Sequence, residues 1–161
     1  MNLRKIDKFQ MDESIRLALK EDITSEDIST NAIYKNSRLA EISLYSKEEG
    51  ILAGIDVFKR VFELLDDNVK FIEYKADGDK LLNKDVILKI KADVKTILSA
   101  ERTALNYLQR MSGIATYTQK MVEALDDENI KLLDTRKTTP NMRIFEKYSV
   151  RVGGGYNHRY N

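Results

Sequence analysis

The sequence predicts an α+β fold over residues 1–112, followed by the first βα unit of a larger parallel assembly over residues 113–161. Up to residue 112, short segments of alternating apolar residues are interleaved with segments of helical spacing. Beyond it, one apolar run precedes a polar loop and a last helix. A single parallel strand leaves its backbone hydrogen bonds unpaired. We therefore interpret residues 113–161 as the opening of a second domain.

The first domain is predicted element by element from local patterns. Asp12 is expected to cap a first helix that has Ile15 on its inner face, and the polar residues 21–30 are expected to connect that helix to the sheet. Alternating apolar residues predict a half-buried strand at residues 38–46. Asp56 can cap a second helix. Further strands are predicted at residues 50–55, 69–76 and 86–91.

A long helix is predicted after these strands, from about Val94 to Met111, because apolar side chains recur there at helical spacing. Ser112 and Gly113 are expected to end it, and a separate helix is predicted over residues 114–126. This break is the predicted boundary between the two domains.

The second domain continues with an apolar run at residues 130–133, which has the profile of a buried parallel strand. Pro140 suits the first turn of a helix. We expect that last helix to run to about Val152, where three glycines at residues 153–155 end it.

The composition excludes several classes of protein. With 42% hydrophobic and 33% charged residues among 161, the chain is globular rather than disordered or fibrous. Its net charge of +1 argues against a dedicated nucleic-acid or membrane partner. The absence of cysteine excludes disulfides and Cys-ligated metals. Since neither a signal peptide nor a run of about 18 apolar residues is recognisable, we expect a cytoplasmic protein.

The small net charge conceals a basic C-terminal segment. Residues 130–161 carry seven Lys or Arg and two acidic residues, whereas the rest of the chain carries 20 basic and 24 acidic residues. An anionic ligand is therefore expected to bind in the C-terminal segment.

The first candidate site follows the predicted parallel strand, at residues 134–140 (DTRKTTP). Ligands of α/β proteins bind at the C-terminal ends of parallel strands. Arg136 can grip a carboxylate or phosphate with two hydrogen bonds, Lys137 adds a point charge, and Thr135 offers a hydroxyl. The alternative is a solvated basic loop that caps the strand.

The second candidate site follows the last helix. The three glycines at residues 153–155 can turn the backbone sharply and point N–H groups at an anion. His158, which is the single histidine of the sequence, lies beside Arg159, and this pair suits an acidic substrate. The alternative is a glycine helix end followed by an ordinary surface pair.

Arg102 is a third candidate, because it lies on a long helix that is otherwise rich in apolar residues. The alternative is an intrahelical ion pair, although its acidic neighbour Glu101 is adjacent rather than four residues away. The sequence contains no Cys/His metal spacing, no H-E-x-x-H motif and no nucleophile elbow. No metal-ligating residue is therefore assigned.

Two long motifs resemble those of a known enzyme family. Residues 132–159 (LLDTRKTTPNMRIFEKYSVRVGGGYNHR) are similar to the core signature of the quinolinate phosphoribosyltransferases, also called carboxylating nicotinate-nucleotide pyrophosphorylases. Residues 98–116 (LSAERTALNYLQRMSGIAT) resemble the long-helix signature of that family, and residues 17–30 and 50–55 resemble its N-terminal elements in order. The resemblance covers essentially the whole chain.

The resemblance implies an α+β N-terminal sandwich domain followed by an incomplete α/β barrel, of which this chain holds the first βα unit. It also implies a homodimer or higher homo-oligomer in which each site borrows the N-terminal domain of the partner. The arginine that reaches the quinolinate of the partner matches Arg102. The other substrate-binding positions match Thr135, Arg136, Lys137, His158 and Arg159, of which Lys137 and His158 are the predicted catalytic residues.

The implied substrates are quinolinate and phosphoribosyl pyrophosphate, with Mg²⁺ as the expected partner of the pyrophosphate. Family members continue for roughly another hundred residues of barrel, and most Mg²⁺ ligands are expected there. We therefore expect the 161-residue chain to be inactive alone. Turnover at the level of the family would contradict this expectation.

Two alternatives stay open at this point. The related molybdenum-transport-associated phosphoribosyltransferase-like family shares the T-R-K-T and G-G-G…H-R core, although residues 146–148 and 156–157 fit the quinolinate enzymes better. The second alternative is a non-catalytic dimerisation fragment. A stable dimer without quinolinate affinity would favour it.

Overall fold

The computed structural model describes residues 5–23, 38–127 and 129–159. Their elements, in chain order, are α1 (Lys8–Asp22), β1 (Leu39–Tyr45), β2 (Gly50–Ile51), α2 (Ile55–Glu63), β3 (Lys70–Glu73), β4 (Lys80–Leu81), β5 (Val86–Asp93), α3 (Val94–Leu125) and α4 (Arg143–Val152). Helices on a small sheet, followed by one helix of a parallel unit, confirm the predicted fold class. Most of residues 21–30, predicted as a polar connection, lie outside the described residues.

The sheet is antiparallel, in the order β1–β5–β3, and β2 pairs separately with β4. Burial alternates along β1, so the half-buried strand predicted at residues 38–46 is confirmed. The strands predicted at residues 50–55 and 69–76 are present but shorter than expected. None of the described helices is long and apolar enough to cross a membrane.

The core lies where α2 and the first half of α3 cover the sheet. The ring of Phe62 in α2 meets that of Phe58 at 5.2 Å and stands edge-on to Phe71 of β3 at 6.2 Å. The largest fully buried apolar side chains of the described chain are Phe62, Phe145, Ile15, Leu52, Leu88, Ile90, Met111, Val57 and Val61.

The predicted cap of the first helix is wrong. Asp7 caps α1, and its carboxylate accepts hydrogen bonds from the amides of Phe9 and Gln10 at 3.0 and 3.3 Å. Asp12 lies inside α1 and accepts two hydrogen bonds from the Arg60 guanidinium of α2, at 2.7 and 2.8 Å. These hydrogen bonds hold the pKa of Asp12 below its usual value. Asp12 therefore joins two helices instead of starting one.

The second helix also begins without its predicted cap. α2 starts at Ile55, one residue before Asp56. Gly54 precedes it with a φ of 99°, a conformation that favours glycine. The amides of Gly54 and Ile55 each donate to the carboxylate of Asp77 at 2.9 Å. A carboxylate from a distant turn thus satisfies the helix N-terminus.

The predicted helix break at Ser112 and Gly113 is wrong, because α3 is continuous over 32 residues. The Ser112 hydroxyl accepts from the amide of Ala53 at 3.0 Å and donates to its carbonyl at 3.2 Å. One turn later, the Thr116 hydroxyl accepts from the amide of Ile51 at 2.8 Å. Such tertiary contacts outweigh a glycine in a helix, which costs only about 1 kcal/mol.

Helix α4 is anchored on the N-terminal part of the chain. Its fully buried Phe145 packs on Tyr107 of α3 at a centroid distance of 4.9 Å. The Tyr148 hydroxyl donates to the carboxylate of Asp77 at 2.7 Å. Burial and the neighbouring carboxylate raise the pKa of Tyr148. The helix that carries the C-terminal segment therefore has a fixed place against the first domain.

Gly153→Ala is expected to destabilise the chain by roughly 1–3 kcal/mol. A Cβ at Gly153 would collide with the carbonyl oxygen of Ala115 and lie 2.8 Å from the Cβ of Thr118, so α3 and α4 would have to separate. The matched control is Gly113→Ala, where an added Cβ meets nothing within 4 Å. That change is expected to stabilise α3 by up to about 1 kcal/mol. Urea denaturation followed by circular dichroism measures both, and equal effects would contradict the packing.

Candidate functional site

Two parallel strand segments meet at the C-terminal end of the chain. Leu133 forms a parallel bridge with Tyr156. The Asp134 amide donates to the Tyr156 carbonyl at 2.9 Å, and the Tyr156 amide donates to the Leu132 carbonyl at 2.8 Å. The unit is therefore strand–helix–strand, one strand more than the sequence predicted. The residues that follow the two strands lie side by side.

Residues 130–133 have the profile of a buried parallel strand, but part of this apolar run is exposed in this chain. Ile130 and Leu133 are each 53% exposed. The physical reason is that the bridge at Leu133 gives this run only a single short parallel partner within the described residues.

The loops after the two strands enclose an open cavity of about 480 Å³. It brings together every predicted site residue except Arg102. Its lining residues are Asp134, Thr135, Arg136, Lys137, Arg143, His158 and Arg159. Four of these side chains are cationic and a fifth is the histidine, so the cavity is strongly basic.

The first loop is shaped by hydrogen bonds of its own side chains. The Thr135 hydroxyl accepts from the Lys137 amide at 3.1 Å. The Arg143 guanidinium donates to the Thr138 hydroxyl at 3.1 Å and to the Arg136 carbonyl at 3.4 Å. These contacts curl the loop around the cavity.

A buried carboxylate lies beneath the cavity. The side chain of Asp134 is 5% exposed, and its Oδ1 lies 2.7 Å from the ammonium of Lys147, which is 1% exposed. The same oxygen accepts from the His158 amide at 2.7 Å, while Oδ2 accepts from the Asn157 amide group at 2.7 Å. The acidic group of the cavity is thus neutralised from within the protein.

The three glycines do not point N–H groups at an anion. The amides of Gly153, Gly154 and Gly155 donate to carbonyls of the last turn of α4, at 3.0, 3.1 and 2.9 Å. The alternative reading of a glycine helix end is correct for this run. His158 and Arg159 nevertheless line the cavity, and they also border a neighbouring space of about 640 Å³ next to α1.

Arg102 lies outside the cavity of its own chain. It extends from α3 with a side chain 74% exposed and donates to the carboxylate of Asp22 in α1 at 2.8 Å. The ion pair joins two helices, so the alternative of an intrahelical pair is wrong.

Sequence reasoning left four contributors to the site unassigned: Asp134, Arg143, Lys147 and Asn157. Arg143 lines the cavity from the first residue of α4. The sequence feature that could have identified Arg143 is its positive charge just after the loop at residues 134–140. Lys147 gave no such signal, because a lysine in an amphipathic helix ordinarily faces solvent.

A salt bridge fixes the far end of the first loop. The Arg110 guanidinium of α3 contacts the Glu146 carboxylate and donates to the Thr139 hydroxyl at 2.6 Å. Glu146 also accepts from the Thr139 amide at 3.2 Å. Burial disfavours ionisation of Glu146, but the hydrogen bonds from Arg110 and Thr139 outweigh it and hold its pKa below the usual value of 4.5.

Acid is therefore expected to weaken this connection. Because the folded-state pKa of Glu146 is lowered, its stabilising contribution is complete above about pH 4.5 and is lost as the pH falls through the folded-state pKa. As the pH falls from about 5 to about 3, the free energy of unfolding is expected to decrease less in Glu146→Gln than in the wild type. Urea denaturation across this range checks it, with Glu123→Gln on the exposed side of α3 as the control. Parallel curves for wild type and Glu146→Gln would contradict the assignment.

Two family models together match the chain from residue 27 to residue 161, with only residue 113 between them. The model of the quinolinate phosphoribosyl transferase N-terminal domain matches residues 27–112, and that of the C-terminal domain matches residues 114–161. The chain belongs to the quinolinate phosphoribosyl transferase family. The resemblance found in the two sequence motifs is thereby confirmed.

Relatives of this quinolinate phosphoribosyl transferase chain are similar over most of its length. A Bacillus subtilis (strain 168) protein named "Probable nicotinate-nucleotide pyrophosphorylase (carboxylating)" is 49% identical over 140 residues, which are 87% of this chain and 48% of that protein. The crystal structure of NadC from Streptococcus pyogenes is 54% identical with a TM-score of 0.94, covering 97% of this chain and 56% of that one. The nicotinate-nucleotide pyrophosphorylase of Francisella tularensis is 37% identical with a TM-score of 0.92, covering 100% and 57%. The chain spans about half the length of the relatives it matches.

Proposed function

We propose that this chain forms the quinolinate-binding part of a quinolinate phosphoribosyltransferase of NAD biosynthesis. In the proposed reaction, the ring nitrogen of quinolinate attacks C1 of phosphoribosyl pyrophosphate as pyrophosphate leaves. The 2-carboxylate then departs as CO2, which yields nicotinate mononucleotide. The names of the relatives and the family of the chain support this proposal.

The observation that carries the proposal is the basic cavity at the ends of two parallel strands. Its cations come from both loops, Arg136 and Lys137 from the first and Arg159 from the second. Its carboxylate, Asp134, is neutralised by Lys147. A planar dianion such as quinolinate matches this charge and can meet one arginine with each carboxylate.

The proposed roles follow from the chemistry of each side chain. Arg136 and Arg159 bind the carboxylates through paired hydrogen bonds. Thr135 accepts from the backbone of its loop and can donate its hydroxyl proton to the substrate. Lys137 and His158 are the proposed catalytic residues, because they line the cavity from different loops and can orient the pyridine nitrogen and stabilise charge during transfer.

Mg²⁺ is implied by the second substrate, but the described residues do not fit a magnesium site. Among residues 5–23, 38–127 and 129–159, no three His, Asp or Glu side chains are grouped to hold a metal. Asp134 already accepts hydrogen bonds at both oxygens. Quinolinate binding is therefore the part of the reaction that we assign to these residues.

We also propose a homodimer in the cytoplasm. Each chain would contribute an N-terminal sandwich domain at residues 1–112 and the start of the barrel domain at residues 113–161. Arg102 supports the dimer, because it is exposed and does not line the cavity of its own chain. An open groove of about 820 Å³ between the end of β1 and α3 offers contact area, and it exposes Tyr45 (55%) and Tyr117 (68%). A partner seated there would cover these rings.

One titration tests the proposed function, because His158 is the single histidine of the chain. Isotope-labelled histidine gives one imidazole signal, and quinolinate is expected to shift it in a saturable manner. Nicotinate has one carboxylate fewer and is expected to bind about tenfold more weakly or worse.

Light scattering on the same sample gives the oligomeric state. A chain that shows no saturable response to quinolinate would overturn the proposed function. A stable dimer with no such response would favour the non-catalytic dimerisation module instead.

A further inference from the structure

The pair formed by Asp134 and Lys147 is the most deeply buried ion pair of the described chain. Their side chains are 5% and 1% exposed, whereas every other described ion pair has at least one partner more than 20% exposed. Burying two charges is costly unless hydrogen bonds satisfy them in good geometry. The burial of the Asp134–Lys147 pair at this position therefore suggests a specific role.

The hydrogen bonds of Asp134 reach both strands of the cavity. Asp134 ends the first strand, while the Asn157 side chain and the His158 backbone amide, which donate to it at 2.7 Å each, follow the second. Asn157 also donates to the Lys147 carbonyl of α4 at 2.9 Å. One carboxylate thus connects the ends of two parallel strands and the helix between them.

The Lys147 ammonium completes the connection from below. It lies 2.7 Å from Asp134 Oδ1 and donates to the His158 carbonyl at 3.4 Å. The amide and the carbonyl of His158 are therefore both held, one by each partner of the ion pair. The backbone at residue 158 is fixed at the point from which its imidazole and the next residue, Arg159, enter the cavity.

We propose that Asp134 and Lys147 are positioning residues that hold the His158 backbone, and with it His158 and Arg159, in register with the first loop for binding a pyridine diacid. This inference rests on the proposed function. Neither residue needs to touch the substrate, because both act through the backbone that carries the two side chains. A hydrogen-bonded pair suits this role, since it specifies direction as well as distance.

The test separates positioning from mere stability by replacing both charges at once. In Asp134→Leu with Lys147→Met, no charge is left buried and unpaired, so the chain is expected to fold. With labelled histidine, the wild type gives a single amide signal, shifted downfield and slow to exchange with solvent, because that amide donates to a carboxylate. The double variant is expected to lose this signature and to bind quinolinate roughly tenfold more weakly or worse.

The matched control is Lys75→Met with Asp85→Leu, which removes a half-buried ion pair elsewhere, at 3.0 Å. It is expected to leave both the His158 amide signal and the quinolinate affinity unchanged. A folded Asp134→Leu/Lys147→Met variant with wild-type affinity would overturn the proposal.

A second double variant, closer in shape to the wild type, covers the case in which the first does not fold. Asp134→Asn with Lys147→Met leaves no unpaired buried charge and keeps the size of the aspartate side chain, but it offers a neutral acceptor and loses the hydrogen bond from Asn157. Its His158 amide signal is expected to move upfield, and quinolinate affinity is expected to fall. An unchanged signal overturns the proposal. If the wild type does not bind quinolinate, the proposed function fails. The His158 amide signals of the variants still show whether the Asp134–Lys147 pair holds the His158 backbone.

Discussion

Lys147→Met is expected to lower the free energy of unfolding by about 3–5 kcal/mol. The substitution leaves the Asp134 carboxylate buried with its ammonium partner gone, and the side chain is only 5% exposed to water. The hydrogen bonds from Asn157 and His158 remain, but they carry no positive charge. A loss of this size is a large part of the whole stability of a domain.

Urea denaturation followed by circular dichroism measures the effect. Lys75→Met is the matched control, because Lys75 pairs with Asp85 where the two side chains are 29% and 26% exposed. Its cost is expected to stay below about 1 kcal/mol. If both substitutions cost the same, Lys147 does not neutralise a buried charge.

Arg136→Ala is expected to weaken quinolinate binding by about 100-fold or more. Each hydrogen bond to a charged group is worth roughly 1.5–3 kcal/mol, and the guanidinium can supply two of them to one carboxylate. Arg136 lies on the exposed loop that lines the cavity, so its removal is expected to leave the fold intact.

The matched comparison is Arg136→Lys, which retains the charge but lacks the planar fork. It is expected to fall between the wild type and the alanine variant in the titration of the His158 signal. Unchanged affinity in a folded Arg136→Ala variant would reject the role assigned to this residue.

Local patterns in the sequence predicted the order of most elements, but they missed β4 and the strand segment at Tyr156, and they misplaced where some elements begin and end. The break at Ser112 was predicted because Ser-Gly is a poor helical pair. The serine instead exchanges two hydrogen bonds with Ala53, which lies 59 residues earlier. In the same way, the amides at the N-terminus of α2 donate to the carboxylate of Asp77 rather than to that of Asp56. Partners so distant in sequence leave no local signal.

Sequence patterns predicted much of the lining of the cavity, because Arg136 and Lys137 directly follow a recognisable strand and the cations of the cavity lie within one family motif, residues 132–159. The cavity contains Arg136, Lys137, His158 and Arg159, as the sequence predicted. The buried pair beneath it was not predicted. In the sequence, Asp134 and Lys147 look like ordinary charged residues. Only the packing of the helix between the two strands brings them together.

Helix α3 runs without interruption through the residue at which the family models divide the chain. Its 32 residues make a rod about 48 Å long, and strands β2 and β5 and helix α4 all pack along it. Because residue 112 lies inside this helix, no flexible linker is exposed there to protease cleavage. Heat or denaturant is accordingly expected to unfold both parts of the chain in one cooperative transition.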